Sequence, residues 1–369
     1  MIKYPLAEGA ILLAPSFYSN YPKESNMKKY LLPEAGQFYK VNLHCHTTFS
    51  DGKRTPGEVK ELYKKLGYSA VAFTDHDILI PHDELTDDSF IALHGFEVEI
   101  NDVRAEGQVS EPKTCHVCFV GIDPENITQP MWHRTKYLFG HAPEHRDEVV
   151  FDENEPDFER AYNPDRLNEM MRIGKEKGFF VTYNHPTWSQ ESYPQYNAYN
   201  EMNAFEIFNG SCLSMGYDDD NFRVYNDMLY AGKRLYAIGA DDNHNGKPDF
   251  TRGSDSGVAW TMVKAEKLDY SSITNALVHG NFYASTGPEI LEIAYEDGKV
   301  YVKTSDVDRI AYNCGRRHGT IRYAEEGSSI NEAVFDVKPD SKYFIITVTD
   351  AKGYKAYSNA YFLDEIENG

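Results

Sequence analysis

Seven short apolar runs occupy the first two thirds of the chain, and six of them carry a histidine or lead into one within four residues. The runs at 40–43, 69–74, 90–100, 115–122, 179–184, 204–209 and 235–240 read as buried strands. Between them lie helical patterns at 56–66, with Val59, Leu62 and Tyr63 on one face, at 165–177, closed by Gly178, and at 220–231. Strands alternating with helices predict an α/β domain with a parallel sheet, closed or open. A closed (β/α) barrel collects its functional residues on the loops after the C-terminal ends of its strands. From about Pro288 the texture changes to short alternating runs (KVYVKT, RIAYNC, EAVFDV, YFIITVTD) separated by turns, which predicts a small all-β sandwich. The expected division is an N-terminal extension packing on the barrel over 1–40, a catalytic domain over 41–287 with an insertion at 123–163, and a β domain over 288–369.

The polar residues at the strand ends are of metal-binding types. The first strand leads to His44-Cys45-His46 and Asp51, the second to Asp75-His76-Asp77, and the third carries Glu97. The fourth carries His116, the fifth ends on His185, and the last on Asp241-Asp242-Asn243-His244. In extended chain, residues two apart share a face, so His44 and His46 can meet one ion while Cys45 points away. Imidazole with carboxylate suits zinc, manganese or iron better than calcium or magnesium. Six histidines with Asp51, Glu97 and one of Asp241 and Asp242 are too many ligands for one ion, which predicts two or three divalent ions sharing a bridging carboxylate. A lone buried histidine is more often a hydrogen-bonded core residue; it is the repetition at six strand ends that favours ligands.

Composition narrows the partners. Among 369 residues, 37 Lys and Arg stand against 58 Asp and Glu, a net charge of −21, which excludes a broad nucleic-acid surface. A phosphorylated substrate stays open, because metal ions can supply the positive charge. No apolar run approaches the ~18 residues of a membrane span, and the run at 10–14 is short for a secretory leader, so a cytoplasmic or trimmed protein is expected. Cys45, Cys115, Cys118, Cys212 and Cys314 lack framework spacing and read as reduced thiols. The Cys115/Cys118 pair, open to a redox or zinc reading, falls inside a strand and reads as structural. Homo-oligomer formation stays open.

The ordered set LHCHTTFSDG, FTDHD, GFE, CHVCFVG, YNHP and DDNH resembles the PHP (polymerase and histidinol phosphatase) family of metal-dependent phosphoesterases. The tail FYASTGP and the ending YSNAYFL are similar to its CehA/McbA-like metallohydrolase branch. The resemblance covers roughly 41–288. It implies a distorted seven-stranded (β/α) barrel with up to three metals. One would lie among His44, His46, Glu97 and Asp242, a second on Glu97 with His116 and His185, and a third on Asp51, His76 and His244. The family pattern of an Asp two residues before the last His selects Asp242 over Asp241, which becomes a supporting acceptor; Asp75 is expected to orient a liganding imidazole. Glu97, Asp242 and His185 are the expected catalytic residues, acting through a metal-bound hydroxide, with no serine or cysteine nucleophile.

The expected activity is hydrolysis of a small phosphomonoester or nucleotide-like phosphodiester. The alternatives are a carbamate, amide or carboxyl-ester metallohydrolase, and a non-catalytic binding module on the same scaffold. A general acid is not identified; His82, His94, His133, His141, His145, His279 and His318 form the pool. The insertion at 123–163, expected to leave from the metal-facing strand end, brings Arg134, Lys136 and Arg146, which predicts either a substrate-gripping lid or a solvated loop. Arg252 is a second candidate anion contact, its alternative a surface salt bridge. The β domain is expected to be structural or oligomer-forming.

Overall fold

The computed structural model describes residues 28–317, 319–338 and 340–368. Most of the expected N-terminal extension, and His318, lie outside them. A two-residue strand β1 (Lys29–Tyr30) precedes β2 (Gln37–Asn42), α1 (Pro56–Lys65), β3 (Ala70–Phe73), β4 (Ile91–Asn101) and β5 (Thr114–Gly121). Then follow α2 (Pro164–Glu176), β6 (Phe179–Tyr183), α3 (Tyr193–Tyr196), β7 (Ala204–Asn209), α4 (Gly210–Met215) and α5 (Phe222–Tyr230). After β8 (Tyr236–Ala240) come β9 (Trp260–Ala265), α6 (Tyr270–Val278) and β10 (Phe282–Ser285). The remainder is antiparallel: β11 (Ile290–Glu296), β12 (Lys299–Val307), β13 (Arg309–Asn313), β14 (Thr320–Tyr323) and β15 (Ile330–Asp336). It closes with β16 (Tyr343–Thr349), β17 (Lys355–Ser358), β18 (Tyr361–Phe362) and a last helix α7 (Leu363–Asn368).

Local chemistry accounts for the element borders. Thr55 and Glu58 form a reciprocal capping box at the start of α1, with Pro56 in the first turn, and Val59, Leu62 and Tyr63 are buried as their spacing requires. Asn163 caps α2 through the Arg166 amide, again with a proline next. Strands β3, β5, β6 and β7 are buried at every residue, which is why they read as unbroken apolar runs rather than alternating ones.

The sheet is mixed, not parallel throughout as expected. Strands β2, β3 and β4 are parallel, β5 is antiparallel to both β4 and β6, and β6, β7 and β8 are parallel again. The physical reason is the β4–β5 connection, which holds no helix; a hairpin reverses the chain where a helical crossover would not. The reversal sends the start of β5, with His116, to the edge where its neighbours end. It also corrects the expected origin of the insertion. Residues 123–163 depart from the far end of β5, where Ile122 N donates to Gly178 O at 3.0 Å, just before β6 begins. The insertion then returns to the metal-facing edge. Gln129 accepts from Leu79 N and donates to Asp77 O, and His141 N donates to Ser50 O at 2.7 Å. Gly140, at φ 61°, fits there because a Cβ would stand 2.4 Å from Ser50 O.

At the other margin, Asp242 N donates to His44 O at 3.0 Å and His46 N to Asn243 O at 3.1 Å, linking the chain beyond β8 to that beyond β2. Strand β9 adds antiparallel to β2, β10 to β9, and β17 to β10. The large sheet therefore continues through β17, β16, β13 and β14, while β1, β11, β12 and β15 form a separate antiparallel sheet. Ile293, Val300 and Phe335 from the smaller sheet pack with Ile310, Phe344 and Val348 from the larger in one cluster. Among the described residues no helix is long and apolar enough to cross a membrane.

Candidate metal centre

Glu97 lies within β4, a strand buried on both faces, and is itself wholly buried. Gly95, two residues earlier, admits close packing: a Cβ there would come within 2.8 Å of the Thr74 methyl and 3.0 Å of Phe119 O. Five imidazoles surround the carboxylate. Oε1 is 3.0 Å from His44 Nε2, 3.1 Å from His116 Nδ1 and 3.6 Å from His185 Nε2. Oε2 is 3.2 Å from His76 Nδ1 and 3.4 Å from His46 Nε2. Asp242 Oδ1 reaches His46 Nε2 at 3.0 Å and His44 Nε2 at 3.2 Å. Asp51 completes the set, 3.3 Å from His244 Nε2 and 3.6 Å from His46 Nδ1. All nine residues expected as ligands thus converge.

Their donor atoms fall into overlapping groups, each compact enough for one ion. His44, His46 and Asp242 form one, His76, Glu97 and His116 another, and His46, Asp51, His76 and His244 a third. His76 stands beside Glu97 and His116 as well as beside Asp51 and His244, whereas His185 groups with His44 and Glu206. His185 and Asp242 adopt positive φ, 25° and 50°, which costs backbone energy for non-glycine residues and is held by the surrounding bonds.

The donor set fits metal ions on its own chemistry. Buried His46 Nδ1, His76 Nδ1, His116 Nε2 and Glu97 Oε2 make no hydrogen bond. Each such atom costs about 1–3 kcal/mol when left without a hydrogen bond, so four at one point, beyond their ion-pair contacts, favour another partner. A cation satisfies them together. The charges are mutually dependent: burial pushes the Glu97 carboxyl up, but His44, His116 and His76 outweigh it and hold it well below the carboxylate range. Burial pulls His185 down, yet the Glu97 hydrogen bond and the Asp242 and Glu206 charges hold it at about 9. His244 is likewise held at about 9, against burial, by Asp51 and Asp242.

The supporting residues differ from expectation. Asp75 does not touch an imidazole; it accepts from Thr47 N, Thr47 Oγ1 and Ser50 Oγ at 2.6–2.8 Å, ordering the turn that presents Asp51. Asp241 faces away from the cluster. It accepts from the amides of Gly257, Val258 and Ala259 and from Tyr63 and Tyr68, tying the loop after β8 to the sheet. The orienting carboxylate is Glu206, in the one run without a strand-end ligand. Its Oε1 is 3.0 Å from His44 Nδ1, and its Oε2 accepts from His185 N and Asn209 Nδ2. Asn209 Nδ2 also donates to Asp242 Oδ2 at 3.0 Å. The signal for Glu206 was a lone charge inside the apolar run AFEIFN.

All five cysteines are buried free thiols. Cys45 packs with Val59, Leu62 and Tyr63. Cys115 and Cys118, three apart on a strand, face opposite ways. Cys118 Sγ accepts from Asn184 Nδ2 and stands with His44 and Glu97, its thiol pushed up to about 11 by burial.

A cavity of about 450 Å³ opens over the cluster, walled by Phe139, Trp188, Cys212 and Met215, with Lys247 at its edge. Trp188 sets its ring edge-on to His116 and His185, with centroids 5.3 and 5.2 Å away, and Phe139 does the same to His76 at 5.2 Å. The residues expected to grip substrate are placed elsewhere. Arg134 pairs with Asp157 at 2.6 Å and with the carbonyls of Glu153 and Glu155; Lys136 pairs with Glu159; Arg146 donates to the carbonyls of His133 and Arg134. Arg252 is absent from the cavity wall, as are all six described histidines of the general-acid pool.

Residues 42–207 match the family model of the PHP domain. No curated protein matches the chain. Among solved structures, a two-domain protein from Bacteroides vulgatus ATCC 8482 containing a predicted PHP-like metal-dependent phosphoesterase is similar over 90% of this chain and 98% of its own, at 16% identity and a TM-score of 0.40. An amidohydrolase from Chromobacterium violaceum, with bound sulfate and no metal, is similar over 56% of this chain and 88% of its own, at 16% identity and a TM-score of 0.36.

Proposed function

We propose that this chain is a metal-dependent phosphoesterase hydrolysing a small phosphomonoester or a nucleotide-like phosphodiester. The observation that carries the reading is the convergence of six imidazoles with the carboxylates of Asp51, Glu97 and Asp242, with four buried polar atoms lacking hydrogen bonds. Two or three divalent ions, zinc, manganese or iron, suit that donor set. In this reading His44, His46, Glu97 and Asp242 hold one, Glu97 with His116 and His185 a second, and Asp51, His76 and His244 a third. Ions bound there supply Lewis acidity and acidify water. Glu97 is the shared carboxylate, and Glu206 fixes the tautomer of His44 by binding its Nδ1. Asp75 holds the Asp51 turn, and Trp188 and Phe139 screen the imidazoles from solvent. The strands from β2 to β8 are proposed to form a closed seven-stranded barrel, which the His44–Asp242 and His46–Asn243 backbone bonds support.

The second reading, hydrolysis of a carbamate, amide or carboxyl ester, draws on the wall itself: Phe139, Trp188 and Met215 are apolar, and among the described residues Lys247 is the one Lys or Arg on it. Purified protein with its metals measured by elemental analysis, offered phosphomonoesters, phosphodiesters and carboxyl or carbamate esters, separates the two. Turnover of a phosphoester that stops on chelation and returns with metal is the expected result. Turnover of neutral esters alone, or well under one metal per chain, removes the reading.

A further inference from the structure

Lys247 sits in the loop after β8, within the stretch that returns to β9. The loop is anchored on both sides of it. Asp255 accepts the amides of His244 and Asn245, and Asp249 is paired with Arg54 at 2.5 Å. The Lys247 stem lies across Gly253, where a Cβ would stand 2.9 Å from its Cδ, so the glycine leaves the room the side chain occupies. Lys247 has no ion pair or hydrogen bond among the described residues, although the chain carries a net charge of −21. An unpaired ammonium on the rim of a carboxylate-rich cavity lacks a fold-stabilising partner and is free to meet an anion.

The remaining wall has a different chemistry. Phe139 and the partly buried Trp188 set their rings beside the imidazoles, and Met215 adds apolar surface to the same wall, Phe139 and Met215 being about half exposed at 48% and 54%. The cavity's size falls within the range of roughly 300–1,000 Å³ seen for small-molecule sites, more than a bare phosphate needs. Among the described residues the wall holds no histidine outside the proposed ligand set. Its other acids are engaged: Glu99 accepts from Asn101 and Asp255 from the two amides. A leaving group that departs as a stable anion suits such a site better than an alkoxide, which needs a proton as the bond breaks.

We propose that the cavity selects phosphomonoesters of aromatic alcohols, with the ring against Trp188, Phe139 and Met215 and an anionic phosphoryl oxygen on Lys247. This rests on the phosphoesterase reading and narrows it. In the reaction the oxygen of water bonds to phosphorus and the bond from phosphorus to the aryl oxygen breaks. The departing phenolate keeps the electron pair and takes its proton from solvent, giving a phenol and inorganic phosphate.

The test uses non-hydrolysable probes, so that intrinsic leaving-group reactivity does not enter. Phenylphosphonate and methylphosphonate are titrated into the metal-loaded protein, read by calorimetry and by indole fluorescence. Phenylphosphonate should bind at least about tenfold tighter, and Trp188→Ala should erase most of that difference. Lys247→Ala should weaken both phosphonates by about tenfold or more with unchanged metal content, and Lys247→Arg should recover much of the loss. Phosphonates that bind equally well overturn the aromatic wall while leaving the phosphoesterase reading intact. Unchanged affinity in Lys247→Ala overturns the lysine contact. Turnover of 4-nitrophenyl acetate with no binding of either phosphonate overturns both the inference and the reading beneath it.

Discussion

At the scale of single residues the centre is a problem in charge. Among the described residues Glu97 is the one carboxylate facing five imidazoles, so Glu97→Gln removes the charge that balances them and, in the proposed reading, the bridge between two ions. Elemental analysis should show loss of metal, and turnover should fall by more than the ~10–100-fold typical of outer ligands. Near-normal metal content in that variant would remove the bridge. Glu206→Gln keeps the size of a side chain that hydrogen-bonds to His44, His185 N and Asn209, and should weaken metal affinity about 10–100-fold by metal titration. Asp219 offers a test on a group outside the expected ligand set. It is fully buried with neither carboxylate oxygen hydrogen-bonded, and burial pushes its carboxyl from 3.8 up to about 7. A carboxyl whose folded pKa is raised contributes stability below its unfolded pKa and loses it as pH rises through the folded one. Asp219→Asn should therefore leave stability almost unchanged near pH 4 and raise it increasingly up to pH 7. The plateau above that is bounded on the order of 4 kcal/mol. Denaturation of both proteins at pH 5 and pH 8 measures it; a gain independent of pH would contradict the assignment.

At the scale of elements, the register of β4, β5 and β6 carries the geometry. Phe119 on β5 stacks on Phe96 of β4 at 4.9 Å, one residue from Glu97, and α2 packs over Phe119 through Gly174. A Cβ at Gly174 would come within 2.3 Å of the Phe119 ring. In an exposed helix Gly→Ala gains up to about 1 kcal/mol. Here overpacking of about 1–3 kcal/mol opposes it, because the ring is pinned beneath the metal-bearing strand. Gly174→Ala should destabilise on balance, as a lower denaturant midpoint; a higher midpoint would show that α2 can lift without cost. The insertion behaves as an element in its own right. Arg134, Lys136 and Arg146 are consumed by its own acids and carbonyls, and Arg160 pairs with Asp77 next to the candidate ligand His76. It reaches the cavity through Phe139 rather than through its basic residues.

At the scale of the molecule, residues on both sides of 288 share one core. Tyr357 stacks on Phe208 and Phe222 and its hydroxyl binds Asp220, while Asn359 accepts from Ala237 N and donates to the carbonyls of Gly280 and Phe282. Tyr343, Ile345 and Phe362 pack in the same cluster as Phe205 and Tyr225. A chain ending at 287 would expose that cluster and leave the β17-facing edge of β10 unpaired, and it should fail to give soluble, metal-bearing protein. The point variant Tyr357→Ala keeps the chain whole and should cost about 3–5 kcal/mol, the usual range for a large buried aromatic. A truncated protein that folds and binds metal would refute the shared core.

The seven runs, the order of the helices and the nine candidate ligands that converge were legible in the amino-acid sequence because each rests on local information. Burial on both faces writes an unbroken apolar run, caps write helix starts, and a polar residue at the end of such a run stands out against it. His44 and His46 could be paired by the two-residue period alone. What the chain does not write locally is which end of a strand meets which. The reversal of β5 follows from a connection without a helix, and it decides both that His116 reaches Glu97 and that the insertion starts at the far end. Asp242, which the resemblance selected over Asp241, reaches His46 from a backbone turn at positive φ, and Glu206 needed β7 to lie beside β6 and β8. The basic residues of the insertion looked free in sequence because their partners, Asp157 and Glu159, come near them only once the loop folds back. Pairings over more than about twenty residues depend on the whole chain's packing, and there the tertiary structure alone decided.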